Sequence, residues 1–320
     1  MAALAAAAEP KEKRKALFKR ILLATDFSSA SEGAFAHAVA IAKRYGSELF
    51  IVNAIPPEPR EFVPLDPMPH ELNRERTEAE KQMKHWVQDA RVKDLTCHAI
   101  TERGKVWDVL SDVLQRESID LLVIGTHGRG GFKKLALGSV AEHLLRLAPC
   151  PVLTVGPHVS PIPTGSADFR EILYATDFGS ASAKAFPYAL ALAQDCRAEL
   201  VLLRMVQRMP VADISAVAYG PPVYAAQDLT KWQNERRQES EEKLRKLIPR
   251  DAMLASEPVY VVGMDFLPEG ILDAAKLYKS ELIVMGANRS ASPQLASRVP
   301  WSVTHEVIRK ARCPVLTVRN

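Results

Sequence analysis

The chain repeats itself, and that repetition limits what it can fold into more than any other feature. The run ILLATDF at 21–27 returns as ILYATDF at 172–178, DLLVIG at 120–125 returns as ELIVMG at 281–286, and CPVLTV at 150–155 returns unchanged at 313–318. The order is kept while the spacing grows, from 151 residues between Asp26 and Asp177 to 161 between Gly125 and Gly286 and 163 between Cys150 and Cys313. The second copy therefore carries an insertion of ten residues and then one of two. A length of 320 residues accommodates two cores of ordinary domain size. The expected division is a basic leader at 1–16, a first domain at 17–156, a linker at 157–168 and a second domain at 169–320. The linker assignment rests on a composition rich in Pro, Ser, Thr and Gly.

Within the first copy, short apolar or β-branched runs at 20–24, 49–54, 95–100, 121–124 and 152–155 read as strands buried on both faces. Helical patterns lie between them. Ser29 with Glu32 suggests a capping box opening one helix, and Gly46 is placed to end it. Ala79, Met83, Trp86 and Ala90 fall on one face of a second helix, and Val106, Leu110, Val113 and Leu114 on one face of a third. Val140, Leu144 and Leu147 mark a fourth, which Pro149 stops. Alternation of this kind predicts an α/β fold, with a parallel sheet, right-handed crossovers and helices on both faces. Trp86 and Met83 are then core residues.

Charge and targeting signals narrow the function classes. A balance of 42 basic against 38 acidic side chains is too even for a nucleic-acid surface, so no nucleic-acid partner is expected. The basic residues Lys11, Lys13, Arg14, Lys15, Lys19 and Arg20 follow the apolar start instead of preceding it, the reverse of a secretory signal. No run approaches the roughly 18 apolar residues of a membrane helix, so no membrane partner is expected and the cytoplasm is the expected compartment. Cys97, Cys150, Cys196 and Cys313 have no C-x-x-C spacing and read as buried thiols, and no metal site of protein ligands is expected.

In an open parallel sheet the ligand sits beyond the carboxyl ends of the strands, where strand order reverses. Two strand ends here carry chemistry. The first runs into Thr25, Asp26 and Phe27, which puts a carboxylate where it accepts from an amino or hydroxyl group. The fourth runs into Gly125, Thr126, His127 and Gly128, with Gly138 and Ser139 following at the start of a helix. Glycines let backbone amides approach a phosphate, and helix-start N–H groups favour negative charge. The G-x-x-x-x-G-K-[ST] spacing of a Walker loop is absent, as is a G-x-G-x-x-G fingerprint on the first βα turn. His127 has no second His at ligand spacing and reads as a loop residue.

Gly125-x2-Gly128-x9-Gly138-Ser139, with Thr25-Asp26 after the first strand and CPVLTV as the last, resembles the ATP-binding signature of the universal stress protein family. The resemblance covers nearly the whole chain twice over. It implies a Rossmann-like, adenine nucleotide alpha hydrolase-like fold, with two repeated five-stranded parallel sheets of order 3-2-1-4-5. It also implies ATP as ligand, with Mg2+ accompanying the phosphates. By position, Asp26 is similar to the family's adenosine ligand, with the backbone of Ala24 and Ala54 beside the adenine. Ile124, Gly125, His127 and Gly128 correspond to the ribose and phosphate side, and Gly138, Ser139 and Val140 to the phosphate cradle. Ala54 stands where the family usually has valine.

The second copy departs from this pattern. Trp301-Ser302 stand where Gly138-Ser139 stand and Arg289 takes the place of Gly128, while Asp177 persists. The leading expectation is a stress-associated ATP-binding protein with one nucleotide per chain, no catalytic residue, and an intramolecular pseudo-dimer of the two domains; a further homodimer is compatible with it. Two alternatives stand beside it. One is a slow ATPase or phosphotransferase using Asp26, Arg129 or Lys133, and the other a nucleotide-independent scaffold holding an apolar ligand near Pro221, Pro222, Val223 and Tyr224.

Overall fold

The computed structural model describes residues 16–57, 69–126, 137–160, 167–206, 222–264, 266–287 and 300–320. The first half runs β1 (Arg20–Ala24), α1 (Ser29–Tyr45), β2 (Glu48–Ile55), α2 (Pro69–Val87), β3 (Cys97–Arg103), α3 (Val106–Arg116), β4 (Leu121–Gly125), α4 (Ser139–Leu147) and β5 (Val152–Val155). The second repeats it with β6 (Glu171–Thr176), α5 (Ser180–Cys196), β7 (Glu199–Met205), α6 (Pro222–Leu247), β8 (Val259–Gly263), α7 (Leu267–Leu277), β9 (Leu282–Ala287), α8 (Pro300–Lys310) and β10 (Val315–Arg319).

Each half forms a parallel sheet of order 3-2-1-4-5, and the two halves join edge to edge into one ten-stranded sheet, β3-β2-β1-β4-β5-β10-β9-β6-β7-β8. The joint is the antiparallel pairing of the two CPVLTV strands, with Leu153 opposite Leu316. Identical residues facing each other mark a local pseudo-two-fold axis. Around it the Thr154 hydroxyl donates to the Val315 carbonyl at 3.1 Å and the equivalent Thr317 hydroxyl to the Val152 carbonyl at 3.2 Å, so both buried hydroxyls are satisfied across the seam.

Strand side chains alternate between two cores. Ile21, Leu23, Leu49 and Ile51 pack with α1 and α2 on one face, continuous with Tyr174, Leu200 and α5 of the second half. Leu22, Phe50 and Val52 pack with α3 and α4 on the other, continuous with Leu173, Val201, α7 and α8. Each core thus crosses the seam. Beside it the Phe18 and Tyr188 rings stack at 6.1 Å, Tyr45 donates to Asp195 at 3.1 Å, and Arg44 pairs with Asp168.

Several local expectations are corrected. The N-cap of α1 is Ser28, whose hydroxyl accepts from the Ser31 N–H, and not Ser29; Glu32 reaches across to Arg91 at 2.6 Å instead of back to the helix start. The displacement follows from Phe27, which at φ 60° turns the chain before Ser28 extends into the helix. Gly46 does end α1, in the left-handed conformation. In α4 the buried stripe is Ala141, Leu144 and Leu145, while Val140 and Leu147 are 46% and 42% exposed. Strand β3 is not buried on both faces, because it lies at the outer edge of the sheet and several of its residues meet solvent. Ala90 is exposed, in a 3-10 turn after α2 has ended. No helix among the described residues is long and apolar enough to cross a membrane, and no group of metal-ligating side chains occurs among them.

Candidate functional site

Strand order places β1 beside β4, so their carboxyl ends open on one crevice. Its cavity measures about 1660 Å³. Ala24, Asp26 and Ala54 line it from the ends of β1 and β2, Ile124 and Gly125 from the end of β4, and Gly138, Ser139 and Val140 from the start of α4. His127 and Gly128 lie outside the described residues, as do Arg129, Lys133 and Arg289.

The Thr25-Asp26 corner is built from local hydrogen bonds. Thr25 donates its N–H to the Val52 carbonyl at 2.9 Å, and its hydroxyl accepts from the Phe27 N–H at 2.9 Å. Asp26 Oδ1 accepts from the buried Ser31 hydroxyl at 2.6 Å and from the Ser28 N–H at 3.0 Å. The left-handed backbone of Phe27 is steadied by its ring, packed edge-on against Trp86 at 5.4 Å. The corner recurs in the second half, with Phe178 at φ 62° and Asp177 accepting from Ser182 and Gly179.

At the other side, Gly138 donates its N–H to the Thr126 carbonyl at 2.9 Å, and Thr126 donates to the Val155 carbonyl at 3.2 Å, which pins the start of α4 to β4 and β5. A Cβ on Gly138 would stand 3.3 Å from the Thr126 oxygen. Gly138, the N-cap of α4, has no side chain to cap the helix, and among the described residues the first turn of α4 borders the crevice. Gly125 has a different reason to be glycine. A Cβ there would meet the Ala30 backbone at 2.8 Å, so the residue is small because α1 packs directly on the end of β4.

Two lining residues went unread in the sequence. His37 is buried, and its Nδ1 lies 2.8 Å from the Gly33 carbonyl, which places a proton on that nitrogen; burial lowers its pKa against the raising effect of that hydrogen bond. Asn53 is the other, the single amide in the apolar run of β2, donating to the Thr25 carbonyl at 2.8 Å.

The second crevice differs at the same positions. Register places Arg204 where Asn53 stands and Met205 where Ala54 stands. The Arg204 guanidinium lies over the Phe178 ring at 5.3 Å, with its charged form disfavoured by burial and favoured by nearby Asp177. For Asp177 burial acts upward, but the Ser182 and Gly179 hydrogen bonds and the Arg204 charge outweigh it, leaving the carboxyl below its ordinary range. Helix α8 starts at Pro300, so Trp301, the counterpart of Gly138, is helical where Gly138 is extended at φ −63°, ψ 144°.

The model of the Universal stress protein family matches residues 17–156 and again 168–319. The chain belongs to the universal stress protein family. A family member of Methanocaldococcus jannaschii is 32% identical over 143 residues, 43% of this chain and 82% of that relative. Universal stress protein A homolog 1 of Coxiella burnetii is 32% identical over 141 residues, 43% of this chain and 96% of its own. Over nearly the full length, a universal stress protein of Archaeoglobus fulgidus superposes with a TM-score of 0.64 at 19% identity, covering 94% of this chain and 98% of that one, a likeness of fold.

Proposed function

We propose that this chain is a cytoplasmic, stress-associated ATP-binding protein, with one nucleotide held in the first half and the second half acting as its built-in pseudo-dimer partner. The observation that carries the reading is the crevice between β1 and β4, where Asp26 and the start of α4 at Gly138 and Ser139 line the same cavity. A carboxylate suits the hydroxyls of a nucleoside, and open helix-start amides suit its phosphates. Gly138 and Ser139 open α4 on the lining of that cavity, which supports assigning the phosphates to this end of it. Mg2+ would be held largely by the phosphates and water. In the second half the helical conformation at Trp301, together with Arg204 and Met205, favours a closed crevice.

Titration calorimetry with Mg-ATP tests the reading. One site per chain is expected, and Gly138→Val should abolish the heat while leaving the thermal melt cooperative. Two equivalent sites would end the asymmetry, and undiminished binding by a folded Gly138→Val chain would move the site elsewhere. Phosphate release measured on the same samples separates binding from slow hydrolysis.

A further inference from the structure

Asn53 is a polar residue buried to 6% exposure in an otherwise apolar strand. Its amide makes one hydrogen bond among the described residues, to the Thr25 carbonyl. A carbonyl only accepts, so the atom facing it is the nitrogen, and the remaining atom, Oδ1, is an acceptor. Thr25 is itself held by Val52 and Phe27, which keeps its carbonyl in place. Asn53, Thr25, Ala24 and Ala54 all border the crevice. Arg204 occupies the equivalent position in the second half, with Nη1 3.4 Å from the equivalent carbonyl of Thr176. Arginine has donors only. The same wall therefore offers an acceptor in one half and a charged donor in the other.

We propose that Asn53 is a specificity-determining residue that reads the base, Oδ1 accepting from the exocyclic amino group of a 6-aminopurine. This rests on the nucleotide reading above and adds to it a side chain that chooses among purines. A 6-oxopurine would set its own acceptor against Oδ1. Rotating the amide to meet it would turn Oδ1 onto the Thr25 carbonyl, again acceptor against acceptor, so either arrangement forfeits a hydrogen bond. Arg204 gives the second half the opposite preference and closes it to a 6-amino group.

The experiment is calorimetric titration of the full chain with Mg-ATP and Mg-ITP, which share ribose and triphosphate and differ in the base. The wild-type chain is expected to bind ATP at least ~10-fold more tightly than ITP, the discrimination expected when a site built to hydrogen-bond one group meets its opposite. Asn53→Leu should bring the two affinities to within about two-fold of each other, since neither base then meets the side-chain amide. Its ATP-to-ADP ratio should stay unchanged, which locates the loss at the base. Asn53→Arg, a residue the second half accommodates at the same register, should reverse the order and favour ITP. Equal wild-type affinities, or a wild-type ratio in folded Asn53→Leu and Asn53→Arg chains, would overturn the proposal while leaving nucleotide binding intact. A wild-type chain that binds neither nucleotide would overturn both.

Discussion

Gly125 and Gly138 look alike in a spaced motif, yet the structure assigns them different work. At Gly125 a Cβ would collide with the Ala30 backbone, whereas at Gly138 it would press on a single carbonyl oxygen. Gly286 repeats the Gly125 situation, with a Cβ meeting the Ala181 carbonyl oxygen at 2.8 Å and the Ser182 nitrogen closer still. Neither position needs a left-handed φ; the demand is for space. Gly286→Ala should therefore destabilise the chain by about 1–3 kcal/mol, the usual cost of overpacking, although the second half lacks the other motif glycines. A urea midpoint unchanged from wild type would remove the close-approach explanation. The repeat held the clue, because Gly286 persists where the partners of Gly125 are replaced, but spacing alone does not distinguish room for a ligand from room for a helix. Asn53 was legible as one polar residue in LFIVNAI, though its role depends on facing Thr25 across the β1–β2 ladder, a pairing the one-dimensional pattern does not contain.

At the scale of elements, β1 and β5 coincide with the bounds read from their apolar runs, since a strand buried on both faces leaves a continuous apolar signature. Strand β3 betrays the limit of that rule, because edge position is a property of the order of strands and not of any one of them. The buried face of α4 departs from its apolar periodicity for a related reason. Val140 is apolar but turned to the crevice, so periodicity counted it with the core. The seam between β5 and β10 is short, four and five residues. Replacing Thr154 and Thr317 together by valine keeps shape and strand propensity while deleting two cross-seam hydrogen bonds. A loss of about 1 kcal/mol per hydroxyl is expected from chemical denaturation of the double variant. Valines that leave stability unchanged would show that the hydroxyls add nothing to the joint.

For the molecule as a whole, both cores run through the seam, so the two halves are expected to behave as one cooperative body. A protease site placed within 161–166 tests this without removing either half. After cleavage the fragments should co-elute at the 35.3 kDa of the intact chain, because the β5–β10 ladder and the Phe18–Tyr188 and Tyr45–Asp195 contacts do not pass through the linker. Fragments that separate on a sizing column would mean that the covalent tether alone keeps them together. The pseudo-two-fold at Leu153 and Leu316 has one more effect. A symmetric dimer shows any visitor two interchangeable ends, so an elongated partner can approach it either way round. Here Asn53 and Gly138 lie toward one end of the ribbon of strands, and Arg204 and Trp301 toward the other. The molecule has a polarity, like a key cut on one side, and whatever lies along the ribbon meets different chemistry at its two ends.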